Sequence, residues 1–178
     1  MLGLVLAMIG PWQPAAAQDE ASQPPPEPSA IAPDLPGAGR STGLPVPRFV
    51  SLGADQVNLR FGPGREYPVS WVLARKGLPV EIIAEFDTWR KVRLHDDDEG
   101  WIHSSLLSSR RTIVIKDEIA ELRRTPADDA RAVLRAEPGV IGELLDCEEE
   151  WCRVDIKGRR GWLRPEAFWG VLPGEMLR

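Results

Sequence analysis

Downstream of Arg48, short apolar runs alternate with turn residues. This is the pattern of strands of about four to eight residues rather than of helices. Val57–Leu59 is broken by Gly62-Pro63-Gly64, Trp71–Leu73 ends at Lys76-Gly77, and Val80–Phe86 turns at Asp87-Thr88. Trp89–Leu94 turns at the acidic run before Gly100, and Trp101-Ile102 starts a last short strand. Ser104–Leu107 fits one turn of 3₁₀ helix. No segment carries a helical period of useful length, so the chain is predicted to be all-β, built as small barrels or sandwiches.

The pattern then occurs a second time. Trp89-Arg90-Lys91-Val92 and Gly100-Trp101-Ile102 are answered by Trp151-Cys152-Arg153-Val154 and Gly161-Trp162-Leu163, the tryptophans lying 12 and 11 residues apart. Leu59-Arg60 precedes Trp89 by 30 residues, and Leu122-Arg123 precedes Trp151 by 29. Gly77 and Gly139 each precede their tryptophan by 12. The expected organisation is one repeat over 48–115, a second over 116–172 and a tail over 173–178. Each repeat has about 60 residues, a size at which a lone core is marginal, so two adjoining units can cover one another's apolar edges. Trp89, Trp101, Trp151 and Trp162 fall where strands pair and are read as structural core.

The N-terminal part has a different composition. Leu2–Ile9 is apolar but far shorter than the roughly 20 residues of a spanning helix. It is followed by Ala15-Ala16-Ala17, a small-x-small pattern that signal peptidase cleaves. A signal peptide over residues 1–17 is expected, although no Lys or Arg precedes the run. The mature chain would then be periplasmic or secreted, with no transmembrane segment. Residues 18–47 hold eight prolines between Pro24 and Pro47 and little that is large and apolar. Such a stretch cannot offset its chain entropy by burial and reads as a disordered spacer arm.

Charge and candidate chemistry narrow the function. With 22 Lys+Arg against 27 Asp+Glu the net charge is -5, which argues against nucleic acid as a partner. Cys147 and Cys152 form a close, even pair that in an exported chain reads as a disulfide. Aligning the tryptophans sets Cys147 opposite Glu85 and Cys152 opposite Arg90. This predicts a cross-strand Cys147–Cys152 bridge in the second repeat and an exposed Glu85–Arg90 ion pair in the first. His95 and His103 have no metal spacing, and Asp96-Asp97-Asp98-Glu99 reads as a solvated hairpin tip rather than a calcium loop. No nucleophile–base arrangement, metal site or cofactor motif is evident, so the chain is read as a non-enzyme without cofactors.

Val57-Asn58-Leu59-Arg60, Gly62-Pro63-Gly64, Trp89-Arg90-Lys91-Val92 and Glu99-Gly100-Trp101-Ile102-His103 resemble a bacterial SH3 domain of the kind found in exported proteins of Gram-negative bacteria. The second copy resembles it more loosely, with Glu121-Leu122-Arg123-Arg124-Thr125-Pro126 in place of the first signature. The resemblance implies two tandem SH3-like β-barrels that bind peptidoglycan or a periplasmic protein. A cryptic cell-wall hydrolase or its regulatory subunit, and a structural homo-oligomer, are the alternatives. The ligand-binding candidates are Tyr67 and Trp71 beside Arg60 and Arg65, with Phe61 and Phe86 as further aromatics outside the core. Tyr67 either packs its own loop or meets the ligand, and the sequence leaves both open.

Overall fold

The computed structural model of the chain describes residues 39–148 and 150–177. The expected signal peptide, and residues 18–38 of the arm, lie outside the described residues. The first repeat contains β1 (Arg48–Leu52), β2 (Val57–Arg60), β3 (Val69–Leu73), β4 (Pro79–Phe86), β5 (Trp89–Arg93), β6 (Glu99–His103) and β7 (Leu107–Ser108). The second contains β8 (Thr112–Ile115), β9 (Ala120–Arg123), β10 (Ala132–Ala136), β11 (Ile141–Cys147), β12 (Cys152–Ile156), β13 (Arg159–Leu163) and β14 (Phe168–Trp169). The strand orders are the same in both, β3-β2-β6-β5-β4-β1-β7 and β10-β9-β13-β12-β11-β8-β14. A 3₁₀ turn precedes the last strand of each, at Ser104–Leu106 and Pro165–Ala167.

The turn residues explain the shared path. Gly77 and Gly139 have φ of +81° and +78°, where a Cβ would be strained. Each donates its N–H back to the first strand, to the carbonyls of Leu52 and Ile115, both at 2.8 Å. The long strands β4 and β11 each carry a register shift, between Ile82 and Ala84 and between Leu144 and Asp146. Such a bulge bends a strand and re-aims the side chains beyond it. Within the first repeat the alternation of β2, β4 and β5 buries Val57, Leu59, Val80, Ile82 and Val92. Leu122, Leu144, Val154 and Leu163 do the same in the second.

Four expectations change. Thr112–Ile115, placed by sequence at the end of the first repeat, is the opening strand of the second, because it pairs with β11 and β14. All four of its residues are buried. Ile113 and Ile115 join the second core while Val114 joins the first, so this strand is covered on both faces. The seam also holds Phe49 edge-on to Trp169, with ring centroids 4.6 Å apart, and Arg75 Nη2 donating to the Gly139 carbonyl at 2.6 Å.

Trp89 and Trp162 are half-buried rather than core. Strand alternation is the reason: Arg90 and Val92 face inward on β5, so Trp89 lies on the outer face, and Gly161 and Leu163 do the same to Trp162 on β13. Trp101 is 4% and Trp151 9% exposed. The expected tail is bound: Leu177 and Cys147 exchange N–H···O bonds of 3.0 and 3.1 Å, and Arg111 grips Glu175 at 2.6 Å.

The fourth change concerns Glu85. Its register partner is Arg90, but the pair is buried, at 4% and 7% exposure, not exposed. Glu85 also receives Arg48 Nη2 at 2.6 Å, Thr42 Oγ1 at 2.8 Å and the backbone N–H of Thr42 at 2.9 Å. Residues 39–44, inside the stretch expected to be a disordered spacer, thus form a turn that clasps the first barrel. Gly39 approaches the Glu85 carboxylate so closely that a Cβ there would overlap it.

At the matching place in the second repeat, Cys147 and Cys152 are register partners and form a disulfide. Both are buried. The chain-entropy relation for so short a loop gives about 2 kcal/mol. Reduction should therefore lower the unfolding free energy of the second repeat by about that amount. Urea melts with and without reductant check this, and coincident curves would show that the bridge contributes nothing.

Candidate functional site

On β2, Val57 and Leu59 point inward, which sets Asn58 and Arg60 on the outer face. On β5 and β6 the same face carries Trp89 and His103, which are register partners. Their rings meet edge-to-face with centroids 5.3 Å apart. Arg60 Nη1 donates to the carbonyls of Tyr67, at 2.7 Å, and Arg65, at 3.2 Å, which holds the 61–68 loop over this end of the sheet. The result is a groove of about 370 Å³ lined by Asn58, Arg60, Arg65, Trp89, His103 and the Ser105–Leu106 turn.

The groove is a cationic and aromatic surface. No carboxylate lines it. Arg65 makes no side-chain ion pair among the described residues. His103 Nδ1 accepts the N–H of Ser105 at 3.3 Å and lies 2.7 Å from its Oγ. The neutral ring then carries its proton on Nε2, which leaves that atom as a donor. This Ser–His contact caps the 3₁₀ turn.

The sequence candidates divide. Arg60 and Arg65 line the groove, whereas Tyr67 and Trp71 do not. The Tyr67 ring lies against Gly62, where a Cβ would collide with it, so it packs its own loop. Trp71 and Val72, 58% and 57% exposed, lie on β3, an edge strand of its sheet, and Phe61, also exposed, follows β2. Phe86 is exposed at the far hairpin. Sequence reading missed Trp89, His103 and Asn58 as groove residues. Their signal was parity: Trp89 is three residues from the inward Val92 and so faces the other way.

The second repeat has the same framework with its groove filled. Arg123 Nη1 holds the Ala130 carbonyl at 3.0 Å. Arg164 lies over the Trp151 ring, 4.7 Å from its centroid. A two-point contact fixes it there, Nε to Asp128 Oδ1 at 3.0 Å and Nη2 to Oδ2 at 2.8 Å. That hydrogen bond holds the Asp128 carboxyl below its ordinary range. A larger hollow of about 470 Å³ lies at the seam between Phe49, Trp169 and the 171–175 segment. Its aromatic walls are engaged in joining the repeats.

Among the described residues, no cluster of three or more His, Cys, Asp or Glu could hold a metal. Glu99, at the end of the acidic run, pairs with Lys91 at 2.9 Å and Arg93 at 3.1 Å. No helix of the described residues is long and apolar enough to cross a membrane.

Comparison with known proteins finds the bacterial SH3 domain profile matching residues 53–109 and 116–170. The chain is 22% identical over 126 residues to the Bacillus subtilis (strain 168) protein named "Putative N-acetylmuramoyl-L-alanine amidase YrvJ", spanning 65% of this chain and 24% of that one. Among solved structures it is similar to NlpC2 from Trichomonas vaginalis, with 15% identity, TM-score 0.33 and coverage of 70% and 48% of the two chains. It is also similar to an NlpC/P60 family protein from Bacillus cereus ATCC 10987, with 13% identity, TM-score 0.32 and coverage of 70% and 57%. The chain thus spans about a quarter of the curated relative and about half of these structures.

Proposed function

Because this chain belongs to the bacterial SH3 domain family, we propose that it is a binding or scaffold module of the cell envelope, whose first repeat docks on peptidoglycan and which performs no chemistry itself. The observation that carries the reading is the open groove of Trp89, His103, Arg60 and Arg65, an aromatic wall beside the Arg65 guanidinium and the outer nitrogen of the His103 ring. Such a surface stacks on a sugar or peptide and bonds its polar groups. The choice of peptidoglycan draws support from the curated relative, whose name describes an activity on a muramoyl peptide bond. The buried disulfide accords with an oxidising compartment, and with export through the leader expected at residues 1–17.

Incubation with purified sacculi tests the proposal. The protein should co-sediment with them and release no soluble fragments, and Trp89→Ala should reduce sedimentation. Fragment release would identify a hydrolase instead, and a protein left in the supernatant would end the peptidoglycan reading. The exposed Trp71 and Val72 on edge strand β3, with the exposed Phe61 just after β2, favour a second reading, docking of a periplasmic protein along that edge. Trp71→Ser would then abolish capture of a partner from envelope extract while leaving sacculus binding intact.

A further inference from the structure

The repeats share the groove's framework but not its charges. Arg60 and Arg123 each hold the carbonyl seven residues on, so Arg65 and Asp128, two residues before those carbonyls, are equivalent. His103 and Arg164 both follow the Gly-Trp of the sixth strand. By the same registers Asn58 corresponds to Glu121, and Ser105 to Glu166. The second groove therefore has carboxylates at three positions where the first has an amide, a guanidinium and a hydroxyl.

In the second repeat this chemistry is complete within the chain. Arg164 covers Trp151 and is fixed by Asp128, while Glu121 is engaged by Arg135 at 2.6 Å and Arg123 at 3.0 Å. In the first repeat, Arg65 and His103 are both donors and cannot bridge one another across Trp89. The guanidinium has no ion-pair partner among the described residues, and Nε2 of the imidazole enters none of their hydrogen bonds.

We propose that the first groove binds a carboxylate carried on an amino sugar, the external anion meeting His103 as Asp128 meets its counterpart Arg164 in the second repeat, and that the second groove is closed to ligand by its own Arg164–Asp128 bridge. The carboxylate would accept from Arg65 and His103 Nε2–H, and the sugar's C–H face would lie on Trp89. The source of the sugar acid rests on the peptidoglycan reading: in an N-acetylmuramoyl-L-alanine linkage the muramoyl carboxyl is tied up as an amide, so the acid is free only on glycan whose stem peptides have been removed by amide hydrolysis. An exposed site of this kind binds one such unit weakly, and a polymer of them raises the avidity.

The test is titration of the full chain with N-acetylmuramic acid and with its methyl ester, following the Trp89 indole N–H by NMR, assigned with Trp89→Phe. The acid should shift this signal, and the ester should bind about tenfold more weakly, the loss of one charge-assisted hydrogen bond. The double variant Arg65→Asp/His103→Arg installs the second repeat's bridge in the first. It should abolish the shift while the protein still unfolds cooperatively, whereas Arg65→Lys should keep it. Equal binding of acid and ester, no shift with either, or wild-type binding by the double variant would overturn the inference. Sacculus sedimentation is read in parallel: a protein that sediments but ignores the acid keeps its proposed function and loses this inference. One that binds the acid but not sacculi does the reverse.

Discussion

Replacing Glu85 with alanine is expected to destabilise the first repeat by about 3–5 kcal/mol, the range for breaking a buried ion pair from one side. The Glu85 side chain is fully buried, and the Arg48 and Arg90 side chains that meet it at 2.6 and 3.4 Å are only 18% and 9% exposed. Without the carboxylate both guanidinium groups keep their charge and lose their partner. Arg90 retains bonds to the carbonyls of Asp87 and Trp89, which softens the loss. The turn at 39–44 would lose its anchor, so the amides of Ser41 and Thr42 should lose protection from hydrogen exchange. An unchanged exchange rate there would show that the turn is held by something else.

The same site makes a pH prediction. Burial pushes the Glu85 carboxyl upward, but hydrogen bonds from Arg48 and Thr42 and the charge of Arg90 overcome it and bring the pKa from 4.5 to about 2. A carboxyl depressed in the folded state contributes stability that is fully present above the unfolded pKa and is lost as pH falls through the folded one. The window therefore runs from about pH 4.5 down to about 2, and the depression corresponds to about 3 kcal/mol. Urea melts of the wild type across this window should fall steeply, and those of Glu85→Gln less steeply, because Glu175 and other depressed carboxyls still titrate there. Parallel slopes would mean that the carboxyl titrates alike in both states.

The second large effect separates two tryptophans that look equivalent in the sequence. Trp101→Ala should cost about 3–5 kcal/mol, as for other buried large aromatics. Its residue is 4% exposed, and its register partners on either side are Arg60 and Lys91. Trp89→Ala should cost about 1 kcal/mol, because its ring is half-buried on the outer face, where His103 meets it edge-to-face. The milder Trp101→Phe should lie between them, which keeps the comparison measurable if the alanine variant fails to fold. Equal costs for Trp89→Ala and Trp101→Ala would return Trp89 to the core and remove the wall of the proposed groove.

The sequence alone carried the all-β class, the two tandem repeats, five of the seven strands of the first copy with the turns between them (not Arg48–Leu52 or Leu107–Ser108), and the Cys147–Cys152 pairing. These are local properties. Alternation, turn residues and the matched spacing of Trp89 and Trp151 lie within short stretches, and a hairpin fixes its own register. The Glu85–Arg90 pairing was legible for the same reason, because those residues flank one turn.

The burial of Glu85 was not legible, because it depends on Arg48 and Thr42, 37 and 43 residues away. The allegiance of Thr112–Ile115 had no local mark either, since a short apolar strand suits the end of one barrel as well as the start of the next. The exit of Trp89 to the outer face was written in its parity with Val92, but hydrophobicity alone pointed the other way. The closing of the second groove joins Arg164 to Asp128 across 36 residues, and only the folded register brings them together. A side chain's partner across a barrel is set by which strands pair and how far the bulges shift them, and a linear pattern of apolar and polar positions contains neither.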